Sequence, residues 1–355
     1  MRRKTVGLYT PYLDIMGGGE KHILSILKVF DDVGYDTILF WNTDVSTEIK
    51  EKLKLTFANL RFECNLTKMT LIEKAKKLSP LDWLLYVTDG SYFFSPAKNT
   101  AVFCMVPDKK LYNLSPINAL KTANVTFIAN SHFTSSWLHT WGIQSHVVYP
   151  FVSQELFQEE LIKKKPYILT VGRFFQHLHA KKHRDLIKTF LRFHKHHSEY
   201  SLILAGGVQK EDEPYVEELK KEFAHPYIQF KTNVSFMKLR ELYKYASLYW
   251  HFTGFGVDVQ THPEQVEHLG MTPLEAMASR TVPFCFNAGG PRELIESGKN
   301  GFLFSSNEEL LQQTSYFLNT PNLQTQMREA TYHFAHKFFS YNQFTKNVKK
   351  IFHIS

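Results

Sequence analysis

A chain of 355 residues, 43% apolar and 21% charged, has the composition of a folded soluble protein, with room for two domains of roughly 150 to 180 residues each. Its formal charge of +8 is spread evenly, 17 basic against 13 acidic residues up to position 150 and 25 against 21 beyond it. That argues against a dedicated nucleic-acid stripe and fits attraction to phosphate ligands or an anionic membrane surface. No run of about 18 apolar residues suggests a membrane span, Cys64, Cys104 and Cys285 lack metal-type spacing, and the short apolar start does not read as a secretion signal. The expected setting is cytoplasmic, with membrane-peripheral contact as its variant.

The opening reads strand, turn, helix, strand. "TVGLYTP" is rich in β-formers, three glycines at 17–19 break it, and "EKHILSILKVFDDVG" places Ile23, Ile26, Leu27 and Phe30 at helical spacing up to Gly34. "DTILFW" completes a βαβ unit, whose crossover is expected to be right-handed. "WLLYVTD", "TAVFCMV", "VTFIANS" and "SHVVYP" follow as strands, and Ser131 is predicted to cap a helix starting at His132. The polar, basic "FVSQELFQEELIKKKP" from 151 reads as a linker. A second series then alternates strands ("YILTVGR", "SLILAGG", "YIQFKTNV", "LYWHFT", "TVPFCFN", "GFLF") with helices ("HRDLIKTFLRFHKHH", "PYVEELKKEF", "FMKLRELYKYA"), and the tail from about 308 reads as helical. The expected fold is α/β: two Rossmann-like, doubly wound domains, 1–150 and 151–335, facing a central cleft.

Strand ends and helix N-termini along such a cleft favour an anionic ligand such as a diphosphate. Gly17, Gly18 and Gly19 let backbone N–H groups approach a ligand, or simply make a tight turn; the pattern is neither GxGxxG nor a Walker loop. In "TVGRFFQHLHAKKHRDLI", Arg173 follows a strand and a glycine, and Lys181 and Lys182 precede a helix. These cations are placed to stabilise a departing diphosphate, or they form a solvated basic loop. In "EQVEHLGMTPLEAMASRTVPFCFNAGG", the "TPLE" predicts a capping box with Thr272 at N-cap, Pro273 at N1 and Glu275 at N3. That cap leaves Glu267, Gly270 and "WHFTGFG" without a structural reason. No Asp-x-Asp motif stands at a strand end, so no metal is expected. "HKHH" at 194–197 reads as an exposed helix end.

The succession of "GGGEK", "VGRF…KK" and "GFG…EHLGMTPLEAMASRTVPFCFNAGGPRELIESGKNGFLF", with its Glu-x7-Glu spacing, resembles the family-4 retaining glycosyltransferases of the GT-B fold. The resemblance covers most of residues 165–305 and, more faintly, 5–35 and 125–150. It implies that Glu275 hydrogen-bonds the ribose hydroxyls of a nucleotide sugar and that Glu267 sits by the transferred sugar. Arg173 and Lys182 would hold the diphosphate, ahead of Lys181. Gly270, Met271 and Thr272 would present backbone groups to sugar and phosphate, and Gly17 to Gly19 would close on the donor from the amino-terminal, acceptor-side domain. Residues 336–355 would form a helix crossing back to that domain. Three departures stand out: Arg280 and His183 occupy positions where the family often has glycine, and the family's amino-terminal catalytic histidine has no clear counterpart. Asp89 and His251 are the remaining cleft candidates.

The implied reaction moves a hexose from a nucleoside-diphosphate sugar to a hydroxyl of a glycan, lipid-linked or small-molecule acceptor, with retention and without metal or cofactor. Two rival readings are a sugar-nucleotide epimerase or hydrolase of the same fold, and a non-catalytic nucleotide or nucleic-acid binder; the even charge speaks against nucleic acid. The basic loop "PDKKLYN" at 107–113 meets an anionic lipid surface or is merely solvated.

Overall fold

Runs of apolar and β-branched residues too short for helices form the strands, and the strands pair in parallel. The structure is a computed structural model that describes residues 2–13, 16–112, 114–175 and 180–355. The chain divides into two units, Met1–Pro150 with Asn342–Ser355, and Phe151–Tyr341. In the first, β1 (Thr5–Tyr9), β2 (Asp36–Phe40), β3 (Leu60–Glu63), β4 (Trp83–Val87), β5 (Thr100–Cys104), β6 (Val125–Ala129) and β7 (Ser145–Val147) line up in the order β3-β2-β1-β4-β5-β6-β7. In the second, β8 (Lys165–Val171), β9 (Ser201–Gly206), β10 (Ile228–Thr232), β11 (Ala246–His251), β12 (Val282–Phe286) and β13 (Phe302–Phe304) line up as β10-β9-β8-β11-β12-β13. Most central strands are buried along nearly their whole length, as parallel strands covered on both faces must be. Each order reverses once, between β1 and β4 and between β8 and β11, and a doubly wound sheet offers its ligand crevice outside the strand ends at that reversal.

Strand β3 lies outside the sequence expectations. Its "LRFE" is half exposed, so it lacks the continuous apolar run that marks its neighbours. The final helix, Tyr341–Phe352, starts later than the expected 336, because the preceding helix Pro321–Phe339 carries on until Ser340 turns extended (φ −73°, ψ 156°). Within the first unit, Phe352 meets Phe30 and Trp83 edge-on, at centroid distances of 5.3 and 5.0 Å, so this helix covers the long helix Gly18–Asp32.

The expected linker is in fact tied to the second unit. Lys164 donates to the carbonyls of Lys244 (2.8 Å) and Ser279 (2.9 Å), at the ends of two helices, and to the Thr281 hydroxyl (2.9 Å). A cation at helix C-termini is electrostatically favoured, although burial pushes the Lys164 pKa well down. Arg280 works from the other side. It ends the helix Met271–Ala278 in the left-handed region (φ 57°), where glycine would be easiest. Its guanidinium donates to the carbonyls of Gln158 and Glu159 (2.7 Å each), pairs with Glu329 and stacks 4.2 Å from the Tyr332 ring. Those contacts are what arginine supplies at this left-handed position and glycine could not.

At the end of β9, a Cβ on Gly206 would lie 1.8 Å from the Gly172 carbonyl oxygen, whereas one on Gly18 meets nothing within 4 Å. Gly206→Ala is therefore expected to lower unfolding stability by about 3 kcal/mol or more, and Gly18→Ala to change it by less than about 1 kcal/mol. Urea denaturation of both variants reads the difference; equal midpoints would contradict the close approach.

Candidate functional site

Strands β8 and β11 pair side by side and end at the reversal of the second sheet, so Gly172 and Arg173 emerge beside His251 and Phe252. On β11, Tyr249 and His251 are two residues apart and share a face, their rings stacked at 6.1 Å and 21°. Both are buried. The Tyr249 hydroxyl lies 2.8 Å from Thr272 Oγ1 and 3.1 Å from the Val171 carbonyl oxygen, linking β8, β11 and the next helix.

That helix, Met271–Ala278, does not start as "TPLE" predicts. Its N-cap is Gly270, at φ 107°, and no side chain caps it. The left-handed glycine starts the helix two residues early, so Thr272 and Glu275 fall inside it. Pro273 is tolerated because the N–H groups of a first turn have no partner within the helix. With capping removed as its role, the Glu275 carboxylate is found accepting a hydrogen bond from the buried Tyr243 hydroxyl at 2.8 Å. Tyr243 and Tyr249 went unremarked in the sequence; the signal available for Tyr249 was its two-residue spacing from His251.

Glu267 sits in the segment ahead of this helix, and the "AGG" turn after β12 presses on that segment. A Cβ on Gly289 would come 2.1 Å from the Glu267 carbonyl oxygen, and one on Gly290 would come 2.2 Å from Leu269 Cα. Gly290 N–H donates to the Glu267 carbonyl at 2.7 Å. Held this way, Glu267 Oε2 lies 2.7 Å from Lys181 Nζ and 2.9 Å from His251 Nε2. The Lys181 stem passes over Gly172, where a Cβ would come 2.6 Å from Lys181 Cγ. Burial lowers the His251 pKa, opposed by the hydrogen bond and charge of Glu267 and reinforced by Lys181. A neutral His251 therefore donates its Nε2–H to the carboxylate.

The structure reorders the predicted cations. Lys181, ranked below Lys182 for the diphosphate, is committed to Glu267. Lys182 is the left-handed N-cap (φ 52°, ψ 41°) of helix His183–His194 and makes no ion pair among the described residues. Arg173 is exposed, its guanidinium 4.9 Å from the Phe175 ring. His183, in the other glycine position, is buried and stacks on Phe174 at 4.6 Å. His268, also buried, lies with Nε2 3.1 Å from the Glu264 carbonyl oxygen. The Thr253 hydroxyl, just past β11, is buried with no hydrogen-bond partner among the described residues.

The other candidates lie at the reversal of the first sheet. Gly17 caps helix Gly18–Asp32, and its N–H donates to Glu20 Oε2 at 2.9 Å. Gly18 is open, and Gly19 lies close to Met105. Asp89 is exposed past β4, accepts from Ser91 N–H at 3.0 Å, and adds to burial in raising the Tyr9 and Tyr12 pKa values. Among the described residues, no group of three or more His, Cys, Asp or Glu side chains could hold a metal ion. An open cavity of about 550 Å³ in the first unit, lined by residues including Cys64, Met69 and Lys76, contains none of the predicted site residues. The convergent polar groups that mark a small-molecule site are at the β8–β11 reversal instead.

Residues 152–334, just over half of the chain, match the family model described as Glycosyl transferases group 1. Alpha-1,3/1,6-mannosyltransferase ALG2 of Saccharomyces cerevisiae is 25% identical over 366 residues, covering 83% of this chain and 72% of that protein. The GDP-Man:Man(3)GlcNAc(2)-PP-Dol alpha-1,2-mannosyltransferase of Homo sapiens is 25% identical over 218 residues, 56% of this chain and 42% of that protein. Among solved structures, Anabaena Alr3699/HepE in complex with UDP and glucose superposes with a TM-score of 0.72 at 16% identity, covering 99% of this chain and 100% of that one. A glycosyltransferase from Rickettsia africae reaches a TM-score of 0.75 at 17% identity, with both chains fully covered.

Burial lowers the pKa of His22, in the first unit, and of His183, in the second, from 6.5 to about 3, with Lys181 adding to the effect at His183. Both stay neutral in the folded protein while the unfolded chain takes up protons below pH 6.5. Stability is therefore complete above that pH and falls as pH drops, by about 2 kcal/mol per group at pH 5. Urea melts at pH 7.5 and 5.0 are expected to show this loss, and His183→Phe to remove part of it; a flat profile would contradict the burial of neutral imidazoles.

Proposed function

The chain belongs to the glycosyl transferases group 1 family and is a glycosyltransferase of the GT-B fold, and from that premise we propose that the β8–β11 reversal is its donor site. The reaction in this reading moves a hexose from a nucleoside-diphosphate sugar to an acceptor hydroxyl, with retention and without metal. The observation that carries the reading is Glu267, whose carboxylate is fixed by Lys181 and His251 where Arg173 and Lys182 also emerge. As the bond from the anomeric carbon to the diphosphate breaks, negative charge grows on the diphosphate and positive charge on the sugar. Arg173 and Lys182 stabilise the first, and the Glu267 carboxylate the second. Glu275, oriented by Tyr243, accepts from the ribose hydroxyls, while Gly270, Met271 and Thr272 offer backbone groups at the start of their helix. In the first unit, Asp89 and Gly17 to Gly19 remain the candidates at its own sheet reversal.

The donors to try first are GDP-mannose, named in the human relative, and UDP-glucose, with UDP and glucose both present in the cyanobacterial structure. The same human relative's name carries a dolichol-linked acceptor, which supports a lipid-linked glycan as acceptor here, reached by peripheral contact with an anionic membrane from the cytoplasmic side. No helix among the described residues is long and apolar enough to cross a membrane. Nucleic acid has no part in this reading.

A thermal-shift panel of nucleotide sugars is expected to raise the melting temperature with one donor, since binding to the folded state alone stabilises it. With that donor, Arg173→Ala and Lys182→Ala are each expected to cut kcat by about a hundred- to a thousandfold, with an unchanged circular dichroism spectrum. Glu267→Gln is expected to lower kcat as well. Wild-type turnover in both cation variants would remove the phosphate assignment, and wild-type turnover in the glutamine variant would remove Glu267 from the chemistry.

A further inference from the structure

The first unit exposes an apolar face that its own core does not use. Helix Leu71–Leu78 buries only Leu78, and helix Pro116–Lys121 buries none of its residues. Caps hold them in place of packing: Thr70 and Glu73 form a reciprocal capping box, and Ser115 accepts from Asn118 N–H. Their large apolar side chains consequently face solvent, with Leu71 81%, Ile72 70%, Ile117 60% and Leu120 66% exposed, joined by Phe94 at 60%. Ile117 and Leu120, three residues apart, lie on one side of their helix.

Both helices are tied to the same segment, Tyr92–Phe93, which directly precedes the exposed Phe94. Lys74, on the first helix, places Nζ 5.7 Å from the Phe93 ring centroid, and Lys121, on the second, donates to the Tyr92 carbonyl at 2.8 Å. The Tyr92 hydroxyl in turn donates to the Leu111 carbonyl at 3.0 Å, which brings in the loop carrying the exposed Lys109 and Lys110. Lysines at 74, 76, 109, 110 and 121 outnumber the nearby carboxylates Glu73, Asp89 and Asp108. Each of those carboxylates already accepts from its own backbone, from Thr70, Ser91 and Lys110 N–H respectively.

We propose that this face docks on an anionic lipid bilayer, with Leu71, Ile72, Phe94, Ile117 and Leu120 entering the boundary between headgroups and acyl chains and the lysines meeting the lipid phosphates. Lysine is depleted from the cores of protein–protein interfaces, whereas large apolar side chains ringed by lysine are the composition of a surface that lies in a membrane interface. Anionic headgroups supply the charge complement. The inference rests on the lipid-linked acceptor reading for its purpose, and its geometry is independent of the donor chemistry.

The test is flotation of the full chain with vesicles of phosphatidylcholine alone or with about one-third phosphatidylglycerol, at low and high salt. The wild-type protein is expected to float with the anionic vesicles only, and less so at high salt. Ile117→Asp with Leu120→Asp, and separately Lys109→Glu with Lys110→Glu, are expected to weaken partitioning by about tenfold or more. Both pairs should keep the wild-type melting temperature and the melting shift given by the nucleotide sugar. Absence of wild-type flotation, equal flotation with neutral vesicles, or variants that float like wild type would overturn the proposal. So would a concentration-dependent dimer abolished by Ile117→Asp with Leu120→Asp. Flotation of a protein that no sugar nucleotide stabilises would keep the docking face and discard the donor reading.

Discussion

The Glu267 carboxylate, held between Lys181 and a neutral His251, is the contact to which the second unit is built. Its side chain is only 14% exposed, and a charge removed that far from water is unfavourable unless opposite charge and hydrogen bonds replace the water. Lys181 supplies the charge and His251 the hydrogen bond, and they arrive on different parts of the chain. The arrangement requires Gly172 to stay out of the way of the lysine stem, β11 to end at His251, and the "AGG" turn to fix the Glu267 backbone. Removing either partner strands part of a buried charge.

Around this centre, buried cations do structural work that solvent-exposed ones would not. Lys164 closes two helix ends at once, and Arg280 accepts an unfavourable backbone in order to reach two carbonyls, a carboxylate and a tyrosine ring. Together they bind residues 158–164 to the C-terminal end of the helix that carries Thr272 and Glu275. The glycine that relatives of the resembled family often have would satisfy the backbone and lose all of those contacts. Position 280 thus exchanges local ease for anchorage of the segment that leads into β8.

This also explains what could be read from the sequence. Most strands of both sheets were legible because burial on two faces demands continuous apolar runs, and the doubly wound class followed from alternating strands and helices, whereas the strand order came only with the structure. Strand β3 and the helix Pro116–Lys121 were not, since they bury little and leave no clear apolar pattern; in Leu71–Leu78 the helical spacing of Leu71, Ile72, Ala75 and Leu78 and the Thr70–Glu73 capping signature were present and went unread. The "TPLE" cap was misread because a left-handed Gly270 can start a helix without any side chain. The residue types at the site were visible, while their pairing was not. Lys181 and Glu267 are 86 positions apart, and only the neighbouring strand ends show which of two adjacent lysines is taken. Lys164, inside a stretch that reads as a polar, basic linker, is a further case in which the fold, and not the local composition, decides burial.

The net charge illustrates the same point. An excess of +8 reads in the sequence as one diffuse property, yet the structure divides it by position. Lys164, Lys181 and Arg280 are satisfied by internal carbonyls and carboxylates, and these cations hold the fold. Arg173 and Lys182 make no ion pairs among the described residues, and they lie at the strand ends where a doubly wound sheet receives its ligand. Lys109 and Lys110 lie on a loop past the end of β5 in the other sheet. A uniform distribution along the chain therefore divides into cations that close helix C-termini, where the dipole favours them, and cations past strand ends, where helix N-termini do not. Lys182, as the N-cap of its helix, stands against the local dipole with no carboxylate partner among the described residues, so its position is not one that intramolecular electrostatics would choose.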